Sequence, residues 1–83
     1  MNGKVFLLQH NCWGESSVLG IYTTLEKGIA GLKKEKTRIA AIHHFENITE
    51  IKEGIDFEKE HWSEFWVDDD RYNLSTVPVN TVL

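Results

Sequence analysis

Val5-Phe6-Leu7-Leu8 is apolar at four consecutive positions. A strand of that kind needs cover on both faces, which is the pattern of a central strand. A strand over residues 4–10 is therefore expected inside a sheet, with Leu7 and Leu8 both buried. Downstream, Asn11-Cys12-Trp13-Gly14-Glu15-Ser16 has the Asn, Gly and Ser content of a loop, and Val18-Leu19-Gly20-Ile21-Tyr22 returns to β-branched and aromatic residues. The two apolar segments are predicted to pair as a hairpin.

A helix is expected next. Thr23 and Glu26 stand three apart, the spacing at which a threonine caps the first turn and a glutamate reaches back to it. Leu25, Gly28, Ile29 and Leu32 then fall on one helical face, and Lys33, Lys34 and Lys36 suit the negative C-terminal end. Gly28 and Gly31 each cost about 1 kcal/mol relative to Ala inside a helix, so at least Gly28 is expected to serve close packing on the sheet.

Residues 38–55 read ambiguously, because Arg38-Ile39-Ala40-Ala41-Ile42 suits a longer helix or a strand and residues 48–53 do not alternate cleanly; one strand is expected around 46–54. Asp56 is then expected to cap a short second helix, along which Phe57, His61, Trp62, Phe65 and Trp66 recur at helical spacing. An acidic turn, Asp68-Asp69-Asp70, leads into a tail with Tyr72, Leu74, Val77, Val79 and Val82, in which Pro78 permits at most an edge strand. The expected fold is a single α+β domain over 1–83: an antiparallel sheet of about three strands, a helix on one face, a second short helix and a C-terminal tail.

Composition bounds the function. With 83 residues, 41% hydrophobic and 27% charged, the chain has the make-up of a small globular protein and little room for a deep catalytic cleft. One cysteine, Cys12, makes no internal disulfide, which favours a reducing compartment, and the apolar run at 5–8 is too short for a signal peptide or membrane span. A cytoplasmic location is expected. The net charge of −4 divides unevenly, +3 over residues 1–44 and −7 over residues 45–83. Such asymmetry suits a surface that meets a charged partner, and it suits plain solubility as well.

Val5-Phe6-Leu7-Leu8-Gln9-His10, then Leu19-Gly20-Ile21-Tyr22-Thr23-Thr24 with Glu26-Lys27, and His61-Trp62-Ser63-Glu64-Phe65 resemble a family of small uncharacterised bacterial and phage domains. Those domains open with a V-[YF]-L-L-Q-H strand, enter a helix through G-[IV]-Y-[ST]-[ST]-x-E-K, and close with an acidic strand and a D-x-x-x-W turn. The resemblance covers residues 4–66; the tail from Val67 departs from it. It implies no particular activity, and an accessory gene carried by a mobile element, acting through interaction, is the role it implies.

The candidate chemistry weighs as follows. His10 and Cys12, with His43 and His44, are the only set suited to a soft metal, but the usual zinc spacings are absent and no metal or cofactor is expected. Cys12 with a histidine also lacks any sign of the oriented base, oxyanion site and cleft that a nucleophile needs. Asp68-Asp69-Asp70 lacks the spacing of a calcium loop. Lys27, Lys33, Lys34, Lys36 and Arg38 suit phosphates, against an overall negative charge. Trp13 sits in a polar loop where burial is hard to arrange, as a binding hot spot would.

The leading expectation is a non-enzymatic protein-binding module, an inhibitor or modulator carried by a phage or mobile element, whose acidic surface occupies a basic site on a host nucleic-acid-handling protein. Its partner-binding residues are expected to be Trp13, Glu58, Glu60, Glu64, Asp68, Asp69 and Asp70, with the carboxylates turned to solvent. The alternative is a nucleic-acid-binding or regulatory domain using the lysine-rich helix end; a Cys/His metal protein or enzyme comes third. A homodimer is a further expectation, since a sheet covered on one face by a single helix leaves the other to be covered.

Overall fold

The computed structural model describes residues 2–42 and 47–80. Among these residues, five strands form one antiparallel sheet: β1 (Asn2–Cys12), β2 (Glu15–Tyr22), β3 (Lys52–Ile55), β4 (His61–Val67) and β5 (Asp70–Asn80), in the order β2-β1-β5-β4-β3. The helix α1 (Leu25–Ile42) crosses a single face. The expected α+β class holds, and the sheet has five strands where about three were expected.

The first strand is interior, paired with β2 on one side and β5 on the other. Leu8 points at the helix and is 2% exposed, while Leu7, one residue along, points to the opposite face and is only half-buried. The expectation that both are buried therefore holds for Leu8 alone. The loop read at 11–16 shrinks to Trp13-Gly14, because Asn11 and Cys12 continue β1 and Glu15 and Ser16 begin β2.

The helix starts one residue later than the capping pattern suggests. Thr24, not Thr23, is the cap: its Oγ1 accepts from the backbone N of Lys27 at 3.2 Å, and its carbonyl accepts the first helical bond, from Gly28, at 3.0 Å. Leu32 and Ile39 are buried beneath the helix with Leu8, Phe65, Val67, Tyr72 and Leu74. Gly28 does serve close packing, since a Cβ there would lie 3.0 Å from both Leu74 methyls and 3.2 Å from the Phe6 Cβ. A Cβ at Gly31 would lie closer still to the Tyr22 ring and its hydroxyl.

The second helix is replaced by β4. Its residues alternate, with Ser63, Phe65 and Val67 buried towards α1 and Trp62, Glu64 and Trp66 on the other side. The helical reading failed because the pairs 61/65 and 62/66 are four apart, a spacing that puts residues on one face of a strand as well as of a helix. Asp56 caps a turn instead: its Oδ1 accepts from the backbone N of Glu58 at 2.9 Å and of Glu60 at 3.0 Å. The strand expected around 46–54 is the short β3, preceded by a bridge between Ile48 and Val67.

The supposed tail is the middle strand. Residues 70–80 pair with β1 along almost its whole length and with β4 as far as Ser75, and Tyr72 and Leu74 enter the core. Pro78 lies past the end of β4, where β5 has only β1 beside it, so the proline rule operates locally even within a central strand.

Candidate functional site

Chain direction sorts the candidate residues into two ends of the molecule. The β1–β2 turn, Trp13-Gly14, and the β4–β5 turn, Asp68-Asp69, stand side by side, because Cys12 lies next to Asp70 and Asn11 pairs with Arg71. Their midpoints are two strand spacings apart, about 10 Å. Glu58 belongs to the β3–β4 turn at the other end of β4, some 25–30 Å away at about 3.3 Å per residue. The expected acidic surface is therefore two separate groups.

Pairing narrows both groups further. Glu60 is bonded to Lys4 at 2.5 Å, and Glu64 accepts from Trp66 Nε1 at 2.7 Å and from Arg71 at 3.2 Å. Asp70 faces inwards to Cys12 and lies 3.4 Å from His10 Nε2. Glu15, Asp68 and Asp69 have no cation partner among the described residues. They ring the tip that carries Trp13, and Glu15 was not singled out in the sequence because it reads there as an ordinary loop residue.

Trp13 is 86% exposed and holds φ +53°, followed by Gly14 at +82°. Positive φ at both central positions is the requirement of a type I′ turn, for which Asn and Gly are the natural residues. A tryptophan in the left-handed region costs about 1–2 kcal/mol, and this one recovers nothing by burial. Lys59 at φ +63° and Asp68 at φ +51° adopt the same conformation in the other two hairpin turns, so what sets Trp13 apart is a large exposed aromatic at such a position.

Phe57, read in the sequence as part of an aromatic stripe at helical spacing, is 94% exposed in the opposite turn beside Glu58 and Lys59. That end offers an aromatic with mixed charge, unlike the tip. The lysine-rich helix end is partly compensated: Arg38 is bonded to Glu35, and Lys36 lies 3.4 Å from Glu50.

The nucleophile and metal candidates have plain geometries. Cys12 is held as the thiol, its hydrogen bond to Asp70 and that carboxylate's neighbours pushing the pKa from about 9 up to about 11, and the thiolate is the nucleophilic form. A pair missed in the sequence is His61 with Ser63, whose Oγ lies 2.6 Å from His61 Nε2; Glu53 lies 3.8 Å from the same nitrogen. A catalytic relay uses both ring nitrogens, and Ser63 is 1% exposed with no approach for a substrate. The His10 ring stacks on Tyr72 at 4.4 Å, and Tyr72 on Phe65 at 4.9 Å, which makes His10 the outermost member of an aromatic row. No three His, Cys, Asp or Glu side chains among the described residues are grouped to hold a metal ion, and His43 and His44 lie outside them.

Comparison with protein-family models, with characterised proteins and with solved structures returned no match. No helix among the described residues is long and apolar enough to cross a membrane.

Proposed function

We propose that this protein is a non-catalytic protein-binding module that engages its partner with the acidic tip. The observation that carries this reading is Trp13, exposed at a strained turn position and flanked by the uncompensated carboxylates of Glu15, Asp68 and Asp69. An aromatic anchor inside a ring of one charge is the make-up of a hot spot that docks on a basic surface: the ring supplies buried area, and the carboxylates steer encounter and reject acidic partners. A nucleic-acid-handling host protein offers such a basic surface, and an inhibitor that fills it fits the mobile-element role implied by the resemblance.

Reversing Asp68 and Asp69 to Lys tests the electrostatic part, using a partner captured from the host. Association of the wild type is expected to slow steeply as salt rises, whereas the reversed variant associates slowly at all salt concentrations. Equal association rates for the two proteins at low salt would exclude the tip as the steering surface. Phe57→Ala, at the far end, is the matched control and is expected to leave association unchanged.

A further inference from the structure

The sheet face turned away from α1 is uncovered among the described residues, and the register fixes what it carries. Paired residues share a face, so Ile21, Leu7, Ser75 and Trp62 form one row across β2, β1, β5 and β4. Val5 and Val77 form a row beyond it, away from the tip. Towards the tip the same face turns polar: Asn11 donates to Asn73 at 2.6 Å, and Arg71 to Glu64 at 3.2 Å. The half away from the tip is thus mostly apolar, and the half towards it mixes hydrogen-bonded polar groups with the exposed Trp66 and Val18.

The edges are poorly suited to taking a further strand. The free edge of β5 past β4 carries Pro78, β2 is interrupted by a bulge opposite Leu8/Gln9, and β3 has four residues, two of them charged; each device blunts edge pairing. The face is what remains for association. Strands of 8, 11, 11, 7 and 4 residues, at about 3.3 Å per residue and about 4.8 Å apart, give roughly 650 Å² in plan, close to the ~800 Å² per partner of a stable interface once side-chain relief is included.

We infer that a second copy of this chain covers that face, giving a two-layer sandwich with the helices outside. Symmetry then selects the orientation. A two-fold axis relating stacked sheets lies between them, either along or across the strands. An axis across the strands through the Leu7–Ser75 row would lay Val5 and Val77 on Gln9 and Asn73, apolar on polar. An axis along the strands lays apolar half on apolar half. With β5 in the middle of the sheet, Ser75 meets Ser75 of the second copy and Leu7 meets Trp62. A small residue on the axis admits the usual ~10 Å sheet separation. The Trp62 ring covers Gly54, where a Cβ would sit 2.7 Å from its Cζ2.

This arrangement points both acidic tips the same way, so the dimer is bivalent. That consequence rests on the tip being the binding end; the dimer itself does not. Loss of the dimer with tip-dependent binding intact would refute only the inference, and a dimer whose partner binding is indifferent to tip substitutions would refute only the proposed function.

Sedimentation equilibrium from 5 to 500 µM is expected to show monomer passing to dimer, and the outward pair Ile21→Lys and Val77→Lys is expected to weaken association at least tenfold. A monomer throughout, or unweakened association of the folded double variant, overturns the inference. Should that variant fail to fold, amide shifts of the wild type on dilution decide. They are expected to move at Leu7, Ser75 and Trp62 and to stay fixed at Trp13, and the reverse pattern overturns the inference.

Discussion

At the scale of single residues, Trp13 and Leu8 make opposite predictions. Leu8 is buried between β1's neighbours and the helix, so Leu8→Ala is expected to cost about 2–5 kcal/mol, enough to unfold much of a small domain, whereas Leu7→Ala on the far face costs less. Urea unfolding of the two variants checks the difference, and equal losses would mean that the two faces are equally covered. Trp13→Asn should raise stability by about 1 kcal/mol, because Asn tolerates the left-handed conformation and the indole contributes no buried area. In a domain of this size that is a rise in Tm of roughly 4–8 °C. A fall in Tm would show that the ring packs on something in solution. Cys12 adds a pH dependence. Its folded pKa is raised, so the stabilising contribution is complete below about pH 9 and is lost as pH rises through about 11. Asp70→Asn removes the first cause of that shift and is expected to speed alkylation of Cys12 near pH 8, measured by mass spectrometry. An unchanged rate would mean that Asp70 does not hold the thiol proton.

Among the elements, β5 decides whether the sheet is one body. It joins the β2-β1 pair to the β4-β3 pair, so Ser75→Pro, which removes a donor where both neighbours are present, is expected to cost 3 kcal/mol or more. Pro78→Val, in the one-sided part of the strand, is expected to change stability little. Thermal melts that rank the two the other way would contradict the topology. The sequence made β1, β2 and α1 legible, because an unbroken apolar run, a β-branched run and a helical face are local signals. It hid β4 and β5 for reasons just as physical. The aromatic spacing of 61–66 satisfies both periods, and Asp56 offers its side chain to a turn as readily as to a helix start. The centrality of β5 arises from pairing with residues some seventy positions earlier, as Leu8 with Leu74 shows, and no window of sequence carries that. Among the site residues, Trp13 was legible as an aromatic in a polar loop. The division of the carboxylates between two ends was not, since it follows from the direction of β4.

For the whole molecule, the central claim is that folding places an exposed, strained tryptophan among uncompensated carboxylates at one end of an elongated body, 46 × 23 × 22 Å, and that binding occurs there. Burial of a tip hot spot in a partner is worth about 2 kcal/mol or more, close to a thirtyfold change in Kd. The most direct measurement is calorimetric titration of the captured partner with the wild type, with Trp13→Ala and with Phe57→Ala. Thirtyfold weaker binding of Trp13→Ala, with its Tm unchanged or raised and Phe57→Ala indistinguishable from wild type, is the predicted result. Wild-type affinity in Trp13→Ala, or a loss confined to Phe57→Ala, would contradict it.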